Sequence, residues 1–422
     1  MPDRLVPYLD LFADYITELG TKKMDYKSFA QEEKLKTGGI GAGVDVQQSL
    51  DASVPPRVYV SLSGSALDRN VPAMFQLMAD VATGAKWTGE DARLGLLLSR
   101  RAASAGAGVS QNGLSYAKGL ANASIDPVAA LDYRTAGLPH VALLQRLARE
   151  KEAGVKEVSD ALTEIASFAL ARNRVMRCRV SAKPEACDPA VTQMEQFIDA
   201  LPMKTTDAAA DELTLSQSLA SFETTPSKTF VSTPTQTNYC AASYTTVPYS
   251  HPDSAPLFLL GQAMSTSFLH REIREKGGAY GGGASAAPVE GVFAFSSYRD
   301  PNTTATVETF QKAAEWAATE GNLTQEILEE AWLKAFKAID APLAPQSRGA
   351  SLFTNLMDDE SRQIFRDGLL DTTPEQMRAC AEKYLVGKTP ALAIVGNPTA
   401  VPDVKSAGWA CVDAEGNPLK EE

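Results

Sequence analysis

The chain has 422 residues, of which 44% are hydrophobic and 22% charged, with a formal net charge of −12. That balance suits two or three globular domains with real cores, and excludes a disordered chain, a collagen-like fibre or a disulfide-stapled miniprotein. No dense Lys/Arg run offers a nucleic-acid surface, and no run of about 18 apolar residues is available to span a membrane.

Two further counts bear on chemistry. Five scattered cysteines without a C-x-x-C pair suit a reducing compartment, or thiols that simply pack. Only three histidines occur, His140, His251 and His270, which leaves little for a metal site. The opening M-P-D-R-L-V-P-Y has neither an apolar signal stretch nor an Arg/Ser-rich transit pattern, so no targeting signal is expected in this chain.

In chain order, E-E-K-L-K-T-G-G-I-G-A-G (Glu32 to Gly43) reads as a helix stopped by glycine. V-Y-V-S-L-S-G (Val58 to Gly64) alternates like a half-buried strand. Two helices follow, the second expected to start at Thr88, and V-M-R-C-R-V-S-A (Val175 to Ala182) reads as a closing strand. The small, polar stretch Lys204 to Lys228, with Pro226 near its end, reads as a linker.

Beyond it the order repeats. R-E-I-R-E-K-G-G-A-Y-G-G (Arg271 to Gly282), V-F-A-F-S-S-Y (Val292 to Tyr298), T-F-Q-K-A-A-E-W-A and L-T-Q-E-I-L-E match the earlier blocks at an offset of 234 to 239 residues. Helix starts are expected at Thr324 and at Pro374-Glu375, and A-L-A-I-V-G-N-P (Ala391 to Pro398) closes the second series as a strand. The expected fold class is α+β. It comprises two tandem homologous domains, 1–204 and 229–422, joined by a 205–228 linker, each a sheet with helices on one face. The strands Thr229–Val247 and Gly291–Tyr298 either pair with each other or offer an edge to an extended peptide.

The most distinctive segment runs from Asp253 to Asn302. Asp253 is placed to cap a helix with apolar Leu257, Leu260, Met264 and Phe268 at helical spacing, which runs through H-R-E-I-R-E-K into Gly277-Gly278. An arginine on the last turn, Arg274, and a phenol on the glycine-rich strand beyond, Tyr280, can meet at one point. Together they offer a cation to orient a peptide carbonyl and a donor for a developing oxyanion. The plainer alternative is a surface ion pair and a half-buried tyrosine. The run Gly281-Gly282-Gly283 lacks phosphate-loop and dinucleotide spacing.

R-E-K-G-G-A-Y-G-G-G followed by G-V-F-A-F-S-S-Y-R-D-P-N closely resembles the C-terminal half of presequence proteases, organellar members of the pitrilysin and insulin-degrading-enzyme group. V-P-Y-L-D-L-F-A-D-Y-I-T-E-L-G-T-K-K-M-D-Y and A-G-V-S-Q-N-G-L-S-Y-A-K-G-L-A (Ala107 to Ala121) extend the resemblance over nearly the whole chain. It implies a half-clamshell of two domains facing a zinc-bearing half, and a location in the mitochondrial matrix or a plastid. It also implies that Arg274 and Tyr280 reach substrate, with Gly277, Gly278 and Tyr298 lining the same place.

The family's zinc motif, H-x-x-E-H, is absent. Counting back from Leu19-Gly20-Thr21 puts Leu11 and Tyr15 where the histidines would stand and Asp14 in place of the glutamate, a degenerate slot. No metal is therefore expected in this chain, with zinc in the complementary N-terminal half, on a separate chain or on the same polypeptide. The implied function is the non-zinc half of a metalloendopeptidase acting on short unstructured peptides such as cleaved targeting peptides, inactive by itself. The alternative is a non-catalytic structural or substrate-capturing subunit, as in processing-peptidase and respiratory core relatives of the fold.

Overall fold

The structure, a computed structural model, describes residues 1–48, 50, 54, 56–203 and 213–419. It contains two sheets. β1 (Ile40–Gln47) and β2 (Arg57–Gly64) form an antiparallel hairpin. A six-stranded sheet in the order β5-β6-β4-β7-β3-β8 contains β3 (Lys228–Ser232), β4 (Tyr239–Thr245), β5 (Gly281–Ala287), β6 (Val292–Tyr298), β7 (Ala391–Gly396) and β8 (Ala410–Val412). β3 runs parallel to β7 and β8, and the other pairs are antiparallel. Among the described residues no helix is long and apolar enough to cross a membrane.

The first core gathers Leu11, Phe12, Ile16, Val81, Leu97, Leu162 and Ile165 from the helices Leu9–Tyr15, Val71–Gly84, Asp91–Gln111 and Glu152–Ala169. β1 and β2 lay their alternating apolar side chains, Ala42, Val44, Val58, Val60 and Leu62, against it. The second core lies between the six-stranded sheet and the helices Ser254–Met264, Thr304–Ala318, Gln325–Ile339, Asp359–Leu370 and Pro374–Tyr384, around Phe230, Phe293, Phe295 and Phe310.

The expectation of helices on one face is corrected for this sheet. Its opposite face carries Val231, Tyr239, Ala241, Ala393 and Val395, and the first half's helix Gly113–Ala123 covers it with Ala117 and Ala121. Two local features allow the contact. A Cβ on Gly113 would stand 2.3 Å from the Tyr239 ring, and Ser243 Oγ donates to Asn122 Oδ1 at 2.6 Å. A strongly apolar strand face has to be covered, and here the cover comes from across the linker.

Other expectations change for identifiable reasons. Val175 to Ala182 forms no strand, because no neighbouring strand supplies a ladder. Arg177 and Arg179 instead stack on Phe353 and donate to the main-chain oxygens of Leu352, Gln346 and Arg348. Within the expected linker, Leu215–Ala220 is a helix closed by a Thr214/Gln217 capping box; residues 204–212 lie outside the described residues. Thr88 is no cap, since its helix begins at Asp91 after Glu90, whereas Thr324 caps Gln325–Ile339. Asp253 adopts helical backbone angles and makes no cap bond. Its carboxylate is taken by Lys383 and Tyr384 at 2.7 and 2.6 Å. Thr229–Val247 is two strands, with β7 inserted between them. β4 does pair with β6, so both are interior strands and the sheet edges are β5 and β8.

Candidate substrate-contact site

The helix Ser254–Met264 is buried along nearly its whole length, so apolar side chains on all sides, not one stripe, hold it in the core. Gly261 lets β5 pass close by, because a Cβ there would stand 3.1 Å from Ser285 Cα. From Ser265 to Lys276 the helix widens to π geometry, and Gly277 N–H bonds back to Glu272 O at 3.0 Å. Stretches of this kind are rare and concentrate at functional sites. Gly278, at φ +78°, turns the chain into the strand.

Arg274 and Tyr280 are brought together. The guanidinium carbon lies 5.8 Å from the Tyr280 ring centre, and Tyr280 is 66% exposed. Tyr280 meets Tyr298 edge-on at 5.8 Å, and Tyr298 leans on Tyr239 at 5.5 Å. Arg299 sits 5.4 Å over the Tyr298 ring. The acids near Arg274 are already engaged: Glu272 binds Arg271 and Lys276, each at 2.9 Å, and Glu275 binds His270 at 3.3 Å. No carboxylate among the described residues pairs with Arg274, which leaves an exposed cation beside an exposed phenol.

A buried polar lock lies behind this pair. Asp300 is fully buried, accepting from Thr306 Oγ1 at 2.7 Å and from Asn302 N–H at 2.8 Å. The Asn302 amide donates to Gly277 O at 2.8 Å, and the Asn238 amide donates to the main-chain oxygens of Asp300 and Asn302 at 3.1 and 3.2 Å. The lock holds Arg299 at φ +49°, and Tyr280 N–H bonds to Arg299 O at 3.3 Å. A non-glycine residue held there is strained, and such strain persists only where neighbours over-determine it. Gly277 and Gly278 thus form the pinned turn, while Tyr298 supports the phenol. Reading residues alone missed Asn238, Arg299, Asp300 and Asn302 as a unit. The signal was the turn-forming Asp-Pro-Asn directly after an apolar strand.

The degenerate slot lies on the helix Leu9–Tyr15. Leu11 is fully buried, and Tyr15 is buried with its hydroxyl unbonded among the described residues. Asp14 pairs with Arg101 Nε at 3.3 Å, and Arg101 also binds Asp10. His140 completes the cluster, with Nε2 3.4 Å from Asp10 and Nδ1 3.2 Å from Pro7 O. Burial pushes the Asp14 carboxyl up, against the pull of Arg101. At Asp10 burial also raises, but His140 and Arg101 outweigh it and hold the carboxyl low. A core leucine, a core tyrosine and an arginine in the middle do not fit zinc. Among the described residues no three His, Cys, Asp or Glu side chains gather as a metal site.

Residues 1–147 match the family model for the associated domain of peptidase family M16, subfamily C, and residues 228–391 match that of the PreP C-terminal domain. The mitochondrial presequence protease of Danio rerio is 33% identical over 94% of this chain and 40% of its own length. That of Yarrowia lipolytica is 35% identical over 92% of this chain and 38% of its own length. The chain therefore spans about two fifths of the curated relatives it matches. Two solved structures share the fold. A peptidase M16 inactive domain from Pseudomonas fluorescens has a TM-score of 0.57 at 18% identity, over 93% of this chain and 88% of that one. A protease from Helicobacter pylori has a TM-score of 0.61 at 12% identity, over 93% and 89%. The chain belongs to the presequence-protease family of M16 peptidases, in the part its members carry towards the C-terminus.

Proposed function

We propose that this chain is the non-zinc half of a presequence-protease-like metalloendopeptidase, closing a chamber over short unstructured peptides such as cleaved targeting peptides. The observation that carries the reading is the unpaired Arg274 guanidinium beside the exposed Tyr280. Arg274 orients a substrate backbone carbonyl, and the Tyr280 hydroxyl donates to the oxyanion that develops on it. Asn302 and Asp300 hold both at the Gly277 turn, so little reorganisation is needed on binding. Zinc and the general base belong to the complementary half in this reading, since the residues of the Leu9–Tyr15 helix do not fit a metal. The relatives' name, mitochondrial presequence protease, supports a mitochondrial location.

Alone, the chain should bind peptide weakly and hydrolyse nothing. In the complete enzyme, Tyr280→Phe should lower kcat by roughly tenfold or more, with a smaller change in KM. An unchanged kcat overturns the role and favours a structural subunit.

A further inference from the structure

The two hairpins end differently at their inner strands. β6 continues into a sheet, with β4 paired along it from Thr245↔Val292 to Ala241↔Ser296, then β7 and β3. β2 has β1 on one side and, among the described residues, no backbone partner on the other. It nevertheless has the side-chain pattern of an interior strand, with Val58, Val60 and Leu62 packed on the core.

The segment Val175 to Ala182 is unpaired in the same way. It follows the last long helix of its half, as β7 does, and its V-M-R-C-R-V is alternating and strand-prone. Yet Val175 is 71% exposed, and none of its N–H groups from Val175 to Ala182 has a backbone partner among the described residues. A long apolar edge and an exposed strand-prone run are liabilities unless something covers them.

We infer that the outer edge of β2 is a strand-addition site, filled by an extended segment of the complementary half. The intact sheet specifies the occupant. One strand lies antiparallel to both β2 and residues 175–182, as β4 does to β6 and β7, and a second lies parallel to 175–182, as β3 does to β7. The occupant needs apolar side chains at alternate positions to share the face of Val60 and Leu62. A one-residue slip would turn them to solvent, so the register is defined. A second copy of this chain fits poorly, because β2 paired with β2 about a twofold leaves 175–182 uncovered. The relatives carry additional polypeptide, since this chain accounts for only 40% of the Danio rerio protein. The inference rests on the half-enzyme reading only for the origin of the strands.

Backbone hydrogen exchange tests it, comparing chain 1–422 alone with the same residues in the complete enzyme. Residues 57–64 and 175–182 should exchange fast in the isolated chain and about a hundredfold slower in the complete enzyme, with 292–298 slow in both. Val180→Pro should leave the melting of the isolated chain unchanged, since its N–H is unbonded, and strip that protection from the complete enzyme. Slow exchange of 57–64 in the isolated monomer overturns the inference, as does fast exchange in the complete enzyme. Concentration-dependent protection accompanied by dimerisation assigns the edge to a second copy and also overturns it. Full peptidase activity with 57–64 unprotected defeats strand addition alone. Protection with kcat unmoved by Tyr280→Phe defeats the catalytic reading alone.

Discussion

The two Gly-Gly hairpins begin alike and finish as different objects. Counted from the glycine pair, Leu35 stands where Arg274 does and Gly41 where Tyr280 does. The first hairpin closes at its base with main chain only, Gly38 N–H to Ser65 O and Ser65 N–H to Gly39 O. The second closes through side chains, with Asp300, Asn302 and Asn238 converging on Gly277 and the strand ends. Glycine supplies the turn in both cases. What distinguishes a candidate site is the pair of polar side chains in front and the buried polar lock behind.

Substitutions should separate the two hairpins clearly. Asp300→Ala leaves buried donors unpaired and should cost about 3 kcal/mol, read as a denaturant midpoint; Ala66→Ser, at the matching place after β2, should cost less than about 0.5 kcal/mol. Equal costs would mean that the lock does not hold the second hairpin. Gly282→Ala pushes a methyl to within 2.7 Å of the buried Ile273 Cγ2 and should cost about 2 kcal/mol. Gly41→Ala, whose nearest neighbour is Ser63 Oγ at 3.8 Å, should be close to neutral in the same thermal melt.

The slot beside the first hairpin gives a pH-dependent effect. The Asp10 carboxyl is held below its usual range in the folded chain, so its stabilisation is present above the unfolded value of about 4 and disappears as pH falls through the depressed value. Asp14, raised by burial, works in the opposite sense and reduces the net. Arg101→Gln should therefore cost about 1 kcal/mol at pH 7, discounted for partial exposure, and much less under acid. A cost that does not vary with pH would remove the ion pairs as its cause.

The smallest effect concerns thiols. Cys178 is exposed and should be labelled by a maleimide without loss of stability. Cys240, completely buried and with its thiol pushed up by burial and by Asp300, should react only on unfolding. Labelling of Cys240 in the native chain would show that the second sheet opens.

Local signals were legible and long-range ones were not. The glycine stops, the alternation of β2 and β6 and the apolar helix after Asp253 are written in neighbouring residues. So was the meeting of Arg274 with Tyr280, because both lie within a few residues of one turn. The failure at Val175 to Ala182 has a physical origin: a strand exists only if a second chain segment supplies hydrogen bonds, which its own residues cannot encode. The lock was missed because Asn238 is remote in sequence from Asp300. The π widening was missed because apolar periodicity does not distinguish a five-residue return from a four-residue one.

The helix Gly113–Ala123 makes the unit of folding larger than the unit of sequence repetition. Residues 229–422 expressed alone would present Val231, Tyr239, Ala241 and Ala393 to water as one continuous greasy surface. They should aggregate, whereas the same residues attached to 1–204 stay in solution. The N-terminal half therefore acts as an intramolecular chaperone for the half that carries the arginine and the tyrosine.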